Sequence, residues 1–149
     1  MAYNGPDPLG SRYEGEAMKT IENRGKTIAI IYRDSDWVQG LNFITTDDLF
    51  IQISSWWYPK GKKLDNHVHK DFDRVATRTQ EMTYVRKGRM KVRLFNDEKE
   101  PLEELILEEG DLAVYAYGGH GYEMLEEGTQ IIEAKNGPFV GVENDKEKF

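Results

Sequence analysis

The chain contains no cysteine. That excludes a disulfide framework, a thiolate metal site and a thiol nucleophile, and it fits a reducing compartment. Long apolar runs are missing too: no stretch approaches the roughly 18 residues that span a bilayer. The N-terminus lacks the apolar core of a signal peptide, so a cytoplasmic protein with no membrane partner is expected. Positive charge is in deficit, since 20 Lys and Arg against 27 Asp and Glu leave a formal charge of −7. No nucleic-acid partner is expected, because binding a phosphate backbone needs a broad basic surface. There is no Gly-rich phosphate loop, no Ser-His-Asp order and no nucleotide fingerprint. Histidine is rare, at 3 residues.

What remains is enough for one domain. A length of 149 residues supports a single core without disulfides or a structural metal. Residues 1–17 are rich in Gly, Pro and charge and show no apolar period. They read as a disordered tail or an added leader, with Met18 as a natural start and the folded domain spanning 20–149. Beyond Thr20, short segments rich in β-branched and aromatic residues alternate with Gly, Asp and Pro. They predict strands over Lys26–Tyr32, Leu49–Tyr58, Asn66–His69, Glu81–Arg86 and Arg89–Phe95. Further strands are expected over Leu102–Glu108, Asp111–Tyr115, Tyr122–Leu125 and Gln130–Ala134. No window carries a 3.6-residue apolar stripe, so the expected fold class is all-β, an antiparallel sandwich or barrel. The end of the chain, Glu143–Phe149, is charged and expected to be solvated.

All three histidines fall in two segments. His67 and His69 stand at i and i+2, which in a strand puts both rings on one face with Cα atoms about 6.5–7 Å apart. Rings so placed can converge on one divalent ion. Glu81 opens the next predicted strand and offers a hard oxygen ligand, and His120, in a Gly118-Gly119-His120-Gly121 turn, offers a third imidazole. Taken singly, a His-X-His pair is more often solvated surface, and a lone His in a glycine turn is more often an ordinary loop residue.

Gly61, His67, His69, Glu81 and Gly88 together resemble the first motif of the cupin superfamily: Gly, five residues, His-X-His, a gap, Glu, six residues, Gly. The gap departs from that pattern, with eleven residues between His69 and Glu81 where three or four are usual. Gly110-Asp111 and Ala116-Tyr117-Gly118-Gly119-His120 resemble the second motif, without its proline and with the histidine one residue early. The motif's final Asn is not recognisable beside Glu123 and Met124. The resemblance spans about 26–134. It implies a double-stranded β-helix, the small jelly-roll barrel of cupins, with His67, His69, Glu81 and His120 as metal ligands at one open end. The implied cofactor is one divalent transition metal, and three imidazoles with one carboxylate suit Fe, Mn, Ni, Zn or Cu.

Around that set, Arg74 and Arg78 in the long gap offer planar donor forks for a carboxylate or phosphate, or else pair with Asp71 and Asp73. Trp56, Tyr58 and Tyr117 are candidate cavity aromatics for a sugar ring or flat apolar group, or else packing residues between sheets. Glu123, three residues after His120, is the candidate general base. By analogy with small cupins, the expectation is a metal-dependent enzyme of isomerase, lyase or oxygenase type, working on a small anionic or sugar-derived molecule. The alternative is a non-catalytic module that binds or senses a carbohydrate. A homodimer is expected, with Lys26–Tyr32 offered to a partner's sheet edge.

Overall fold

A computed structural model describes residues 18–149; the expected tail, 1–17, lies outside the described residues. The described chain is all-β. Its strands are β1 (Lys19–Asn23), β2 (Lys26–Tyr32), β3 (Gly40–Phe43), β4 (Ser54–Trp57) and β5 (Glu81–Lys87). They continue with β6 (Arg89–Phe95), β7 (Pro101–Glu108), β8 (Leu112–Tyr115), β9 (Gly119–Met124) and β10 (Gln130–Lys135). One short helix, α1 (Val142–Asp145), follows. No described helix is long and apolar enough to cross a membrane.

Three antiparallel sheets result: β1-β2-β8-β5-β10, β7-β6-β9 and the ribbon β3-β4. The first two face each other. β6 shows why: Met90, Val92 and Leu94 alternate inward while Arg89, Lys91 and Arg93 point away. Their partners across the layer are Ile31 and Ala29 of β2, Val85 of β5 and Ala113 of β8. β2 is apolar on both sides because it is covered twice. Its Ile30 and Tyr32 join Val114 in a second cluster under Ile44, Leu49 and Ile51, from the loop between β3 and β4.

That second core explains two departures from the sequence reading. Of the expected strand Leu49–Tyr58, only Ser54–Trp57 is extended and paired, because Leu49 and Ile51 turn down onto the sheet as a loop. β2 has no edge to offer a partner, since β1 and β8 occupy both of its sides. A third departure is Asn66–His69, which forms no strand: from Pro59 to Gln80 the chain has no regular structure and 61–78 is exposed.

At Gly88 the chain crosses between the facing sheets with φ +82°, and a β-carbon there would run into Thr129. Asp111 anchors the following turn. It takes an ion pair from Arg33 at 2.7 Å and backbone N–H bonds from Asp34 and Glu108. Three satisfied bonds to one buried carboxylate hold β8 in register beside β2.

Candidate functional site

One end of the two-sheet layer opens into a cavity of about 1260 Å³. Its floor is set by sheet register. Glu81, the first residue of β5, lies across from Tyr115, the last of β8. His120 and Tyr122 of β9 pair with Leu94 and Val92 of β6 and so face inward with them. The chain enters β9 through Gly118 at φ +70°, where a β-carbon would collide with the Phe95 carbonyl oxygen. Glycine is therefore required two residues before His120.

The side chains meet closely. His120 Nε2 donates to Glu81 Oε1 at 2.6 Å, and the Tyr122 hydroxyl donates to the same oxygen at 3.1 Å. Lys135 Nζ stands 3.7 Å from the other carboxylate oxygen. Tyr115 stacks on the His120 ring with centroids 4.5 Å apart, and its hydroxyl shares a hydrogen bond with Thr83 Oγ1 at 2.9 Å. Glu81 is 3% exposed, whereas the His120 side chain keeps 26% of its surface open to the cavity.

Burial alone would raise the Glu81 carboxyl. The His120 hydrogen bond and charge, the Lys146 ammonium and the Tyr122 hydroxyl outweigh it and bring the carboxyl down to about 2. Burial pushes both phenols upward, and the nearby Glu81 charge opposes the ionisation of each. The site therefore holds an ionised carboxylate and two neutral phenols. With Nε2–H committed to Glu81, Nδ1 is the ring nitrogen left for a ligand. Nδ1 has no hydrogen-bond partner among the described residues.

The walls carry charge of both signs in near balance. Arg78, Arg93, Lys99, Lys146 and Lys148 line the cavity against four carboxylates, Glu81, Asp97, Asp145 and Glu147. Arg78 donates to the Gly118 carbonyl at 2.8 Å and pairs with Asp97 at 3.3 Å. Residues 138–149 close one side. Asp145 accepts a hydrogen bond from Thr79, Glu147 pairs with Lys99 at 2.5 Å, and Phe149 meets the Phe95 ring edge-on at 5.0 Å. Residues 143–149 stay largely exposed, as expected of a charged segment, and also line the cavity. Only Phe149, the one apolar residue in a charged run, hinted at this in the sequence.

The other expected site residues lie elsewhere. His67 and His69 meet each other edge-on at 5.1 Å on the exposed 61–78 stretch. Among the described residues no group of three His, Cys, Asp or Glu side chains is placed to hold a metal ion. The four-ligand set is therefore not assembled as the side chains stand; two of its members, Glu81 and His120, are in contact. Arg74 sits 4.4 Å over the Phe72 ring, away from the cavity lining, and neither arginine pairs with Asp71 or Asp73. Glu123 points off the outer face of β9 toward Lys91 at 3.6 Å. Trp56 is exposed on β4, and Tyr58 lies just beyond that strand beneath Lys62. Tyr117 does line the cavity, with Lys26 and Arg78 each 5.5 Å from its ring. Tyr122 went unnoticed in the sequence. Its signal was the spacing of two from His120, which puts both on one face of a strand.

The comparisons add no relative. No family model matches the chain, and neither does any curated protein or solved structure.

Proposed function

We propose that the chain is a small cupin-type enzyme that moves protons on a small anionic, sugar-derived molecule held in the cavity. The observation that carries this reading is the buried Glu81 carboxylate locking the His120 ring at the cavity floor. The strand path supports the cupin likeness. From β5 to β10 the chain passes back and forth between two facing sheets, giving β8-β5-β10 against β7-β6-β9, the weave of a jelly roll. In a chain of net charge −7 the lining is near balance, and Lys146 and Arg78 are the cations it offers an anionic ligand.

In this reading His120 Nδ1 removes a proton from a carbon beside a carbonyl. The electron pair moves to the carbonyl oxygen, and in an isomerase the imidazolium returns the proton to carbon. In a lyase the pair moves back and expels the group on the neighbouring carbon, and the imidazolium gives that departing group the proton. Glu81 orients the ring and stabilises the imidazolium that forms. Arg78 and Lys146 hold the anionic end of the substrate.

The test is solvent exchange. A panel of acidic and phosphorylated sugars is incubated with protein in D2O, and deuterium uptake at carbon is read by mass spectrometry. The reading expects uptake with at least one compound, falling by about 10²–10⁴ in His120→Asn. Binding without exchange would favour the non-catalytic module. No binding by any compound contradicts both.

A second reading is favoured by the His67–His69 ring contact on a segment that leads directly into Glu81. The eleven intervening residues reach up to about 35–40 Å when extended, ample for both rings to fold inward to Glu81 and His120. Bound there, a divalent transition metal would polarise a substrate carbonyl. Calorimetric titration of Fe, Mn, Ni, Zn and Cu salts tests it: stoichiometric binding lost in His67→Ala with His69→Ala supports the reading, and unchanged binding removes it.

A further inference from the structure

The ribbon β3-β4 stands apart from the cavity and carries a different chemistry. Leu41 pairs across the ribbon with Trp56, and Phe43 with Ser54, so these four share one face. That face is open to solvent: Leu41 is 45%, Phe43 70% and Trp56 55% exposed. The opposite face is seated on the protein, where buried Ser55 shares a hydrogen bond with Tyr32. Trp37 and Val38 precede the ribbon and are also exposed; Trp57, paired with Gly40, ends β4 on the other face.

Charge is missing here. Residues 37–46 and 49–58 contain no Asp, Glu, Lys or Arg and no proline, in a chain that is 32% charged. Free strand edges are ordinarily guarded by charge, proline or a bulge. Neither β3 nor β4 has a strand on its outer side among the described residues. A two-stranded ribbon is marginal by itself, and further strands with a shared apolar face stabilise it. Charge depletion with exposed Trp and Phe is also the composition of an interface centre.

We propose that this ribbon is where a second copy of the chain docks, face and edge to the same face and edge about a twofold axis. The area is of the right size. Phe43, Trp56 and the adjoining Trp37, roughly 200 Å² each and about half exposed, present on the order of 300 Å², to which Val38 and Leu41 add. A standard interface covers about 800 Å² per partner, of which roughly 60% is apolar, or nearly 500 Å². Electrostatics favour the same occupant. Two copies each carrying −7 repel through most of their surfaces, and an uncharged patch is where they can meet.

Sedimentation velocity of the full chain at about 100 µM, where an interface of standard size is populated, tests this. The expected result is a dimer mass for the wild type and a monomer mass for both Phe43→Glu and Leu41→Lys, with unchanged circular dichroism. The two variants put opposite charges on one exposed face, so loss of folding in one leaves the other to report. A monomeric wild type at that concentration overturns the proposal, even if a saccharide or another protein then binds the ribbon. A dimer that persists in the folded variants overturns it as well.

Discussion

His120 and the His67–His69 pair are the same side chain in two mechanical settings. His120 projects from a strand hydrogen-bonded to β6, between a stacked Tyr115 ring and a buried carboxylate. His67 and His69 project from a stretch with no regular backbone pairing and touch only neighbours in sequence, His67 Nδ1 reaching the Asp65 carbonyl at 3.1 Å. The anchored ring has a fixed tautomer and a fixed direction, which acid–base chemistry needs before a substrate arrives. The free pair has neither, and its geometry awaits whatever binds it.

Mutations can widen or close that difference. Leu94, fully enclosed, lies directly across from His120 in the β6–β9 ladder. Leu94→Ala is expected to cost about 2–5 kcal/mol, whereas Val68→Ala, at a residue 89% exposed, should stay within about 0.5 kcal/mol. Urea unfolding measures both, and equal costs would erase the contrast.

Glu81→Gln should cost on the order of 1–3 kcal/mol, because it leaves buried donors with a weaker acceptor. It also changes the response to acid. Glu81 titrates at about 2 in the fold against an ordinary 4.5. Its contribution is therefore fully present above pH 4.5 and is lost as the pH falls toward 2. Unfolding free energies measured across that window should fall more steeply for the wild type than for Glu81→Gln. Parallel curves would mean that the carboxylate is not held as described.

The smallest effect is expected where the sequence motif is clearest. His67→Ala combined with His69→Ala should change metal-free stability by less than about 0.5 kcal/mol. A larger loss in chelator-treated protein would show that the pair is packed rather than free.

The sequence disclosed strands where local pattern and tertiary burial agree. Lys26–Tyr32 and Arg89–Phe95 stand as read, the first a continuous apolar run and the second a strict alternation. It failed where long-range packing decides. Leu49 and Ile51 read as strand yet fill a loop core, and Gly119–Gly121 read as turn yet pair with β6. β3 escaped notice because its apolar residues face solvent, and β1 because a five-residue KTIEN segment has little to distinguish it. At the site, Glu81 and His120 were legible through motif spacing. The lining by 138–149 was not, because nothing local in a charged, exposed segment foretells contacts to Thr79, Lys99 and Phe95.

The most direct test of the central claim uses the scarcity of histidine. With 3 imidazoles in the chain, ring signals in a proton–nitrogen NMR spectrum can be assigned by single substitutions and followed during titration with a hexose phosphate. The account predicts that the His120 signals move to saturation while those of His67 and His69 stay in place. Movement confined to His67 and His69, with His120 unmoved, would contradict it.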